Sequence, residues 1–180
     1  MCGYVGIINK DEQIVNSHLL KSMASVIHHR GPDEEGLFVD GPVGFYHKRL
    51  SIIDLTTGRQ PMTFNDCTIV YNGEIYNYIE LRDDLKKKGH CFDTKSDTEV
   101  ILHMYQEFGD DFINYLNGMF AFIIYDKLRN RLLIAKDHFG IKPLYWYHDE
   151  KKIVFSSEIK AILKHPDIFE EPDRKTCMNI

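Results

Sequence analysis

No stretch of this sequence is long and apolar enough to cross a bilayer as a helix. The longest purely apolar or aromatic run, Met119 to Tyr125, is 7 residues, against the roughly 20 that a membrane span needs. Positive charge is not in excess either. Lys and Arg number 22 against 27 Asp and Glu, a net charge of −5, so no bulk positive field recruits nucleic acid. Cysteine is scarce: Cys2, Cys67, Cys91 and Cys177 contain no C-x-x-C pair, which removes both a zinc-ribbon spacing and a disulfide framework. Three of the four are expected to act as small half-buried hydrophobes. The N-terminus has no basic region ahead of its apolar stretch, so no secretory signal is expected. His28 and His29 lack the i, i+4 partners of a metal-binding helix, so no metal site is expected. What remains is 180 residues, 43% hydrophobic and 27% charged, a composition that fits one globular domain with a sizeable core. It is expected in the cytoplasm.

Periodicity divides the chain into short strands with helices between them. Tyr4 to Ile8 reads as a strand, and Leu19, Leu20, Met23, Val26 and Ile27 recur at helical spacing before Gly31-Pro32 stops the helix. Leu37–Asp40 and Val43–His47 flank Gly41-Pro42 as a hairpin. Thr68 to Tyr71 is a strand that runs into Asn72-Gly73. A helix from Tyr78 to Lys88 ends on Gly89, and Ser96-Asp97-Thr98-Glu99 opens another with a capping-box pattern. Strands come next at Met119–Tyr125, Arg131–Ala135, Leu144–Tyr147 and Ile153–Ser156, an antiparallel meander in expectation, with Tyr145, Trp146 and Tyr147 packing into the core. A last helix covers Glu158 to Leu163. Strands at both ends with helices between predict a layered α+β fold.

Chemistry concentrates in a few places. Cys2 follows the initiator Met, and removal of Met1 would put a thiol and a free α-amine on one residue. Their ordinary pKa values, about 8.5 and 7.7–8.0, make a nucleophile and a base near neutral pH; an incidental early cysteine is the bland alternative. Gly3 and Gly6 allow close backbone approach beside it. Acyl transfer also needs oxyanion donors. Asn72-Gly73 offers a side-chain amide and a backbone N–H, although the same dipeptide is the commonest hairpin turn. Arg49, between apolar neighbours, could grip a carboxylate or be an ordinary surface arginine. Asp97 suits the first turn of a helix by charge alone, or could join Glu74 in holding an ammonium group. Asp54 reads as a turn residue.

Taken together, these residues resemble the glutaminase domain of the class II, N-terminal-nucleophile glutamine amidotransferases of the asparagine synthetase type. The matching segments, in order, are Cys2-Gly3 with Gly6-Ile7, His29 to Asp33, Arg49 to Leu55 with Gln60-Pro61, Tyr71 to Asn77, Ser96 to Val100, Gly118 to Phe122, Gly140 to Tyr145 and Ser156 to Ala161. The resemblance implies a four-layer αββα Ntn-hydrolase sandwich with two antiparallel sheets. It implies glutamine hydrolysis to glutamate and ammonia through a thioester on Cys2, with Asn72 and Gly73 stabilising the oxyanion. Arg49, Glu74 and Asp97 would hold the substrate's α-carboxylate and α-amine, and Leu50, Ser51, Ile52 and Ile53 would line the pocket. The His29–Asp33 segment would close over bound glutamine.

Lys136-Asp137 departs from the family's usual Arg-Asp, away from the proposed chemistry. No Ser-Gly-Gly phosphate loop occurs in the chain. The expected organisation is therefore a glutaminase domain over 1–165 and, over 166–180, the start of a linker toward an ATP-dependent synthetase domain outside this sequence. No cofactor is expected for the glutaminase domain, with ATP and Mg expected only for the synthetase. Expected partners are glutamine and that synthetase domain, with a homodimer left open and neither nucleic acid nor membrane. Two other readings compete: an amidotransferase passing ammonia to a different acceptor, and a non-catalytic glutamine-binding module.

Overall fold

The computed structural model describes residues 1–169 of the chain. In order, its elements are β1 (Gly3–Asn9), α1 (Ser17–Ser25), a 3-10 turn (His28–Arg30), β2 (Glu34–Asp40), β3 (Val43–Arg49), β4 (Met62–Phe64) and β5 (Cys67–Ile75). Then come α2 (Tyr78–Lys87), α3 (Asp97–Phe108), a second 3-10 turn (Gly109–Tyr115), β6 (Gly118–Asp126), β7 (Arg131–Lys136), β8 (Tyr145–His148), β9 (Lys152–Ser156) and α4 (Ile159–Ile162). The strands form two sheets, β2-β3-β1-β9-β8 and β4-β5-β6-β7, in which every pairing is antiparallel.

The alternation of side chains along each strand builds the layers. Tyr4, Phe45 and Phe155 on one sheet meet Val70, Ala121 and Ile123 on the other. The opposite face of the first sheet, with Val5, Ile7 and Val154, packs under Leu20, Met23 and Ile27 of the α1 region and Ala161 and Ile162 of α4. The opposite face of the second, with Ile69, Tyr71, Phe122 and Ile124, packs under Val100, Ile101, Met104 and Tyr105 of α3 and Leu85 of α2. Both faces of both sheets are covered, so β6 is apolar at nearly every position instead of alternating. The result is the four-layer αββα sandwich, α+β in class.

Several local expectations are corrected. Asn72-Gly73 does not end its strand: β5 continues to Ile75, paired with β6 over its whole length. Gly73 is glycine because a Cβ there would strike Met119 O and the Phe120 backbone, so close strand approach, not a turn, selects it. The last four strands are not one meander. β6 and β7 pair in one sheet, while β8 and β9 cross to the other. β8 is an edge strand, so Tyr145 and Trp146 are exposed and only Tyr147 packs on the core. Of the cysteines, Cys67 is buried but Cys91 is exposed, and Cys177 lies outside the described residues. The capping box at α3 is half made. Ser96 Oγ accepts from Thr98 N (3.1 Å), whereas the Glu99 carboxylate turns to Asp93 N and Thr94 N (2.8 Å each). Ile168 still packs into the α1–α4 layer; residues 170–180 of the expected linker lie outside the described residues.

Gly6 makes room for the Phe155 ring on the inner face of the first sheet. It stands opposite Phe155 in the ladder, and a Cβ on Gly6 would fall inside the Phe155 ring. That ring also packs on Tyr4 and Phe45 at centroid distances of 6.5 and 5.6 Å. Gly6→Ala is expected to destabilise the domain by about 1–3 kcal/mol through overpacking. Adding Phe155→Leu should recover part of that loss, measured as non-additive shifts of the urea midpoint. Additive losses in the double variant would remove this contact as the cause.

Candidate active site

The sandwich seam opens at one end, and strand parity delivers the polar residues there. Cys2 continues β1 on the same face as Tyr4, Arg49 lies on the face of β3 that carries Phe45, and Asn72 and Glu74 lie on the face of β5 that carries Val70. All four therefore project between the sheets. They line one cleft of about 80 Å³ together with Leu50, Ile52, Ile53, Gly73 and Asp97. Ser51 is the exception among the expected site residues: its N–H donates to Asp33 Oδ2 (2.8 Å), and it does not line the cleft.

Cys2 sits against the backbone of Leu50, whose N–H donates to Sγ (3.4 Å) and whose carbonyl accepts from it (3.6 Å). Burial pushes the thiol pKa up, ahead of the opposing pull of the Leu50 N–H, the N-terminus and Arg49. The resting group is therefore a thiol that needs a base. Asn72 is 2% exposed, its Nδ2 has no hydrogen-bond partner among the described residues, and it lines the same cleft. An unsatisfied buried donor costs about 1–3 kcal/mol; Arg30 Nη2, His47 Nδ1, Arg82 Nε and His103 Nε2 are also unpaired, but of these five residues Asn72 is the one that lines the cleft.

The backbone of β5 adds a second donor. Tyr76 N bonds Asn117 O and Lys127 N bonds Asp66 O, so even-numbered residues of β5 bond β6 while odd-numbered ones direct their backbone to the other edge. β4 covers that edge only as far as Ile69. Beyond it, Gln60 Oε1 accepts from Tyr71 N (2.7 Å) and Asp97 Oδ2 accepts from Ile75 N (3.1 Å). The Gly73 N–H lies between these two, facing the cleft.

Asp97 opens α3 and is 4% exposed. Its Oδ2 also accepts from the Tyr71 hydroxyl (2.7 Å). Burial raises its pKa against these hydrogen bonds. Arg49 is neither free nor a surface residue: its guanidinium binds Glu34 and the carbonyls of Ile53 and Asp54. Glu34 is held below the usual carboxylate range by that hydrogen bond. Asp54 does more than turn the chain. Its carboxylate collects Thr57 N and Lys95 N at 2.8 Å each, tying the 50–58 loop to the approach of α3.

Residues 29 to 33 do not line the cleft. Arg30 Nε donates to Cys2 O (2.9 Å) and its Nη1 meets Glu158 (3.1 Å), which also binds His29. Gly31 lies flat against the Lys48 backbone, with no room for a Cβ. The segment clamps the Cys2 backbone through the buried guanidinium of Arg30. Sequence reasoning gave no role to Gln60, Tyr71, Met119 or Lys142, all of which line the cleft. Each stands in a segment carrying the resemblance, but only the antiparallel register shows that they converge. Among the described residues, no group of three or more His, Cys, Asp or Glu is placed to hold a metal ion.

Glu158 completes the clamp. Burial raises its pKa, but the hydrogen bonds from Lys160, Arg30 and His29 outweigh that and bring it down to about 2. A depressed carboxyl contributes stability that is full above its unfolded pKa, about 4.3, and is lost as pH falls toward 2. Glu158→Gln should therefore cost about 1.5–3 kcal/mol at pH 7, with the difference from the parent closing between about pH 4.5 and 2. Urea titrations across that range would show it, and a pH-independent gap would refute the ion-pair account.

Comparison with known proteins agrees with this geometry. The model of the glutamine amidotransferase domain family matches residues 1–180. Asparagine synthetase [glutamine-hydrolyzing] 3 of Bacillus subtilis is 42% identical over 179 residues, covering 97% of this chain and 29% of that protein. Asparagine synthetase [glutamine-hydrolyzing] 1 of the same organism is 47% identical over 168 residues, covering 91% and 27%. The chain thus spans less than a third of the length of these relatives. Among solved structures, the glutamine phosphoribosylpyrophosphate amidotransferase of B. subtilis superposes with a TM-score of 0.74 at 23% identity, over 89% of this chain and 43% of that one. This likeness supports the sandwich fold. The chain belongs to the glutamine amidotransferase domain family, homologous to part of the glutamine-hydrolysing asparagine synthetases.

Proposed function

We propose that Cys2 hydrolyses the side-chain amide of glutamine through a thioester, and that the ammonia released feeds a synthetase domain elsewhere in the full-length protein. The observation that carries this reading is the unpartnered Asn72 Nδ2 lining the same cleft as the Cys2 thiol. Removal of Met1 frees the Cys2 α-amine, whose ordinary pKa of about 7.7–8.0 suits a general base. The amine takes the thiol proton as sulfur attacks the amide carbon. Asn72 Nδ2 and the Gly73 N–H then hold the oxyanion. The C–N bond breaks as the amine returns its proton to the leaving ammonia, and water cleaves the thioester to glutamate.

Arg49 and the acids Glu74 and Asp97 sit at opposite poles of charge in one cleft, an arrangement that fits the α-carboxylate and α-ammonium of an amino acid. Leu50, Ile52 and Ile53 supply the wall between them. No step in this domain calls on a cofactor; ATP and Mg belong to the synthetase reaction. The names of the relatives favour aspartate as the eventual acceptor of the ammonia. No helix among the described residues is long and apolar enough to cross a membrane, which is compatible with a cytoplasmic site of action.

The test is intact mass before and after treatment with an electrophilic glutamine analogue, alongside glutamate release. Loss of Met1 and one adduct on Cys2 are expected, with Cys2→Ala abolishing both adduct and turnover. Asn72→Ala should lower kcat roughly 10²–10³-fold while Cys2 still reacts with iodoacetamide, an alkylation that forms no oxyanion. Unchanged turnover in Cys2→Ala would sink the mechanism, and unchanged kcat in Asn72→Ala would remove Asn72 from the oxyanion site.

A further inference from the structure

Gln60 is buried and bridges three parts of the molecule. Its backbone carbonyl closes on β2, where a Cβ on Gly36 would strike it. Its side-chain oxygen accepts from Tyr71 N (2.7 Å) on the uncovered edge of β5. Its side-chain nitrogen donates to Thr98 Oγ1 (3.3 Å), one residue past Asp97 at the start of α3. β4 stops covering β5 at Ile69, so the Gln60 amide stands where the next residue of an edge strand would, and it bonds Tyr71 as a strand would.

A side chain in place of a strand changes what the neighbouring donors can do. A real strand continuing past Tyr71 would cover the next outward-facing N–H, that of Gly73. A single amide cannot reach that far. With Tyr71 N held by Gln60 and Ile75 N by Asp97, the strand is pinned on both sides of Gly73 while the Gly73 N–H stays toward the cleft. Tyr71 is pinned from the other sheet as well, since His47 Nε2 meets its carbonyl at 3.0 Å.

We infer that Gln60 is a positioning residue for glutamine hydrolysis: it fixes the β5 edge so that the Gly73 N–H and the Asn72 amide hold their place opposite Cys2, and it ties that edge to the helix turn carrying Asp97. The inference rests on the reading of Asn72 and Gly73 as the oxyanion donors. Gln60 touches no reacting atom in this scheme. Its effect falls on the transition state, because a mobile donor binds the developing oxyanion poorly while the ground-state contacts to the substrate's α-groups remain.

Gln60→Leu removes both hydrogen bonds at similar volume. In the processed chain it should lower kcat for glutamine at least about 10-fold, within the range that displaced catalytic donors cost, with KM changed less than about 2-fold. The iodoacetamide rate at Cys2 should match the parent's. Gln60→Glu keeps the acceptor for Tyr71 N, and its second oxygen can accept from the Thr98 hydroxyl, so it should recover most of the lost turnover. Thr98→Val, close to isosteric, loosens only the helix tether and should give a smaller fall in kcat. It also serves where Gln60→Leu does not fold.

A merely structural role for Gln60 would lower stability and alkylation together and leave kcat per folded, titratable Cys2 unchanged; that result overturns the proposal. A rise in KM with constant kcat overturns it too. Amide exchange of the 70–75 segment, measured in the same variants, separates this inference from the one beneath it. Faster exchange at Tyr71 and Gly73 in Gln60→Leu is required whether or not the parent turns over glutamine, and parental exchange rates there refute the pinning. A parent that releases no glutamate refutes the hydrolysis reading instead.

Discussion

The packing of the two inner sheet faces, Tyr4, Phe45 and Phe155 against Val70, Ala121 and Ile123, is the contact on which the seam and the polar cleft at its end depend. Each sheet is apolar on both faces because helices cover the outside and the other sheet covers the inside. A polar residue on an inner face then has no water to reach except where the seam ends. Cys2, Arg49, Asn72 and Glu74 all lie on inner faces by strand parity, and all four are at that end. His47 is the inner-face polar residue just before Arg49, fully buried, and burial brings its pKa down to about 4 so that it stays neutral. One step deeper along β3 stands Phe45, and the seam is dry.

Around the cleft, most polar groups are paired. Arg49 has a carboxylate and two carbonyls, Asp97 has a hydroxyl and a backbone N–H, and the Cys2 carbonyl has Arg30. Asn72 Nδ2 has no partner among the described residues. In the proposed mechanism that buried amide, unpaired at a cost of about 1–3 kcal/mol, is the donor held for the oxyanion. The donor is preorganised because its own strand cannot move: Gly73, beside it, is wedged against Met119 and Phe120, and the edge of β5 is pinned at Tyr71 and Ile75.

Much of this was legible in the chain. The apolar run at Met119–Tyr125, the glycine after α2 and the serine before α3 encode local structure, and local structure is what periodicity and capping report. Asn72-Gly73 was not legible as a mid-strand pair, because the dipeptide's turn preference is a local signal and the register with β6 that overrides it is not. The exposure of Tyr145 and Trp146 depends on β8 falling at a sheet edge, which sheet order decides and composition does not. The resemblance named Arg49, which lines the cleft. Its partner Glu34, fifteen positions earlier, comes only from the β2–β3 ladder that sets the two opposite each other. Gln60 escaped for the same reason: an amide replacing a missing strand has no signature until the strand is seen to stop.

Cys2, the proposed nucleophile, shows how sequence and fold divide the work. Burial raises the Cys2 thiol pKa, so the fold alone makes this cysteine less reactive than an exposed one at neutral pH. With Met1 attached, the Cys2 nitrogen is an amide and no base. Cutting one peptide bond leaves the strands intact, since β1 begins at Gly3, and removes from the cleft lining only the half-exposed Met1. What the cut supplies is an amine on the same residue as the thiol. The packed sheets hold the sulfur, the pinned strand holds the donors, and in the proposed mechanism the missing base is supplied by covalent processing, because a buried seam has no room for a separate hydrated one.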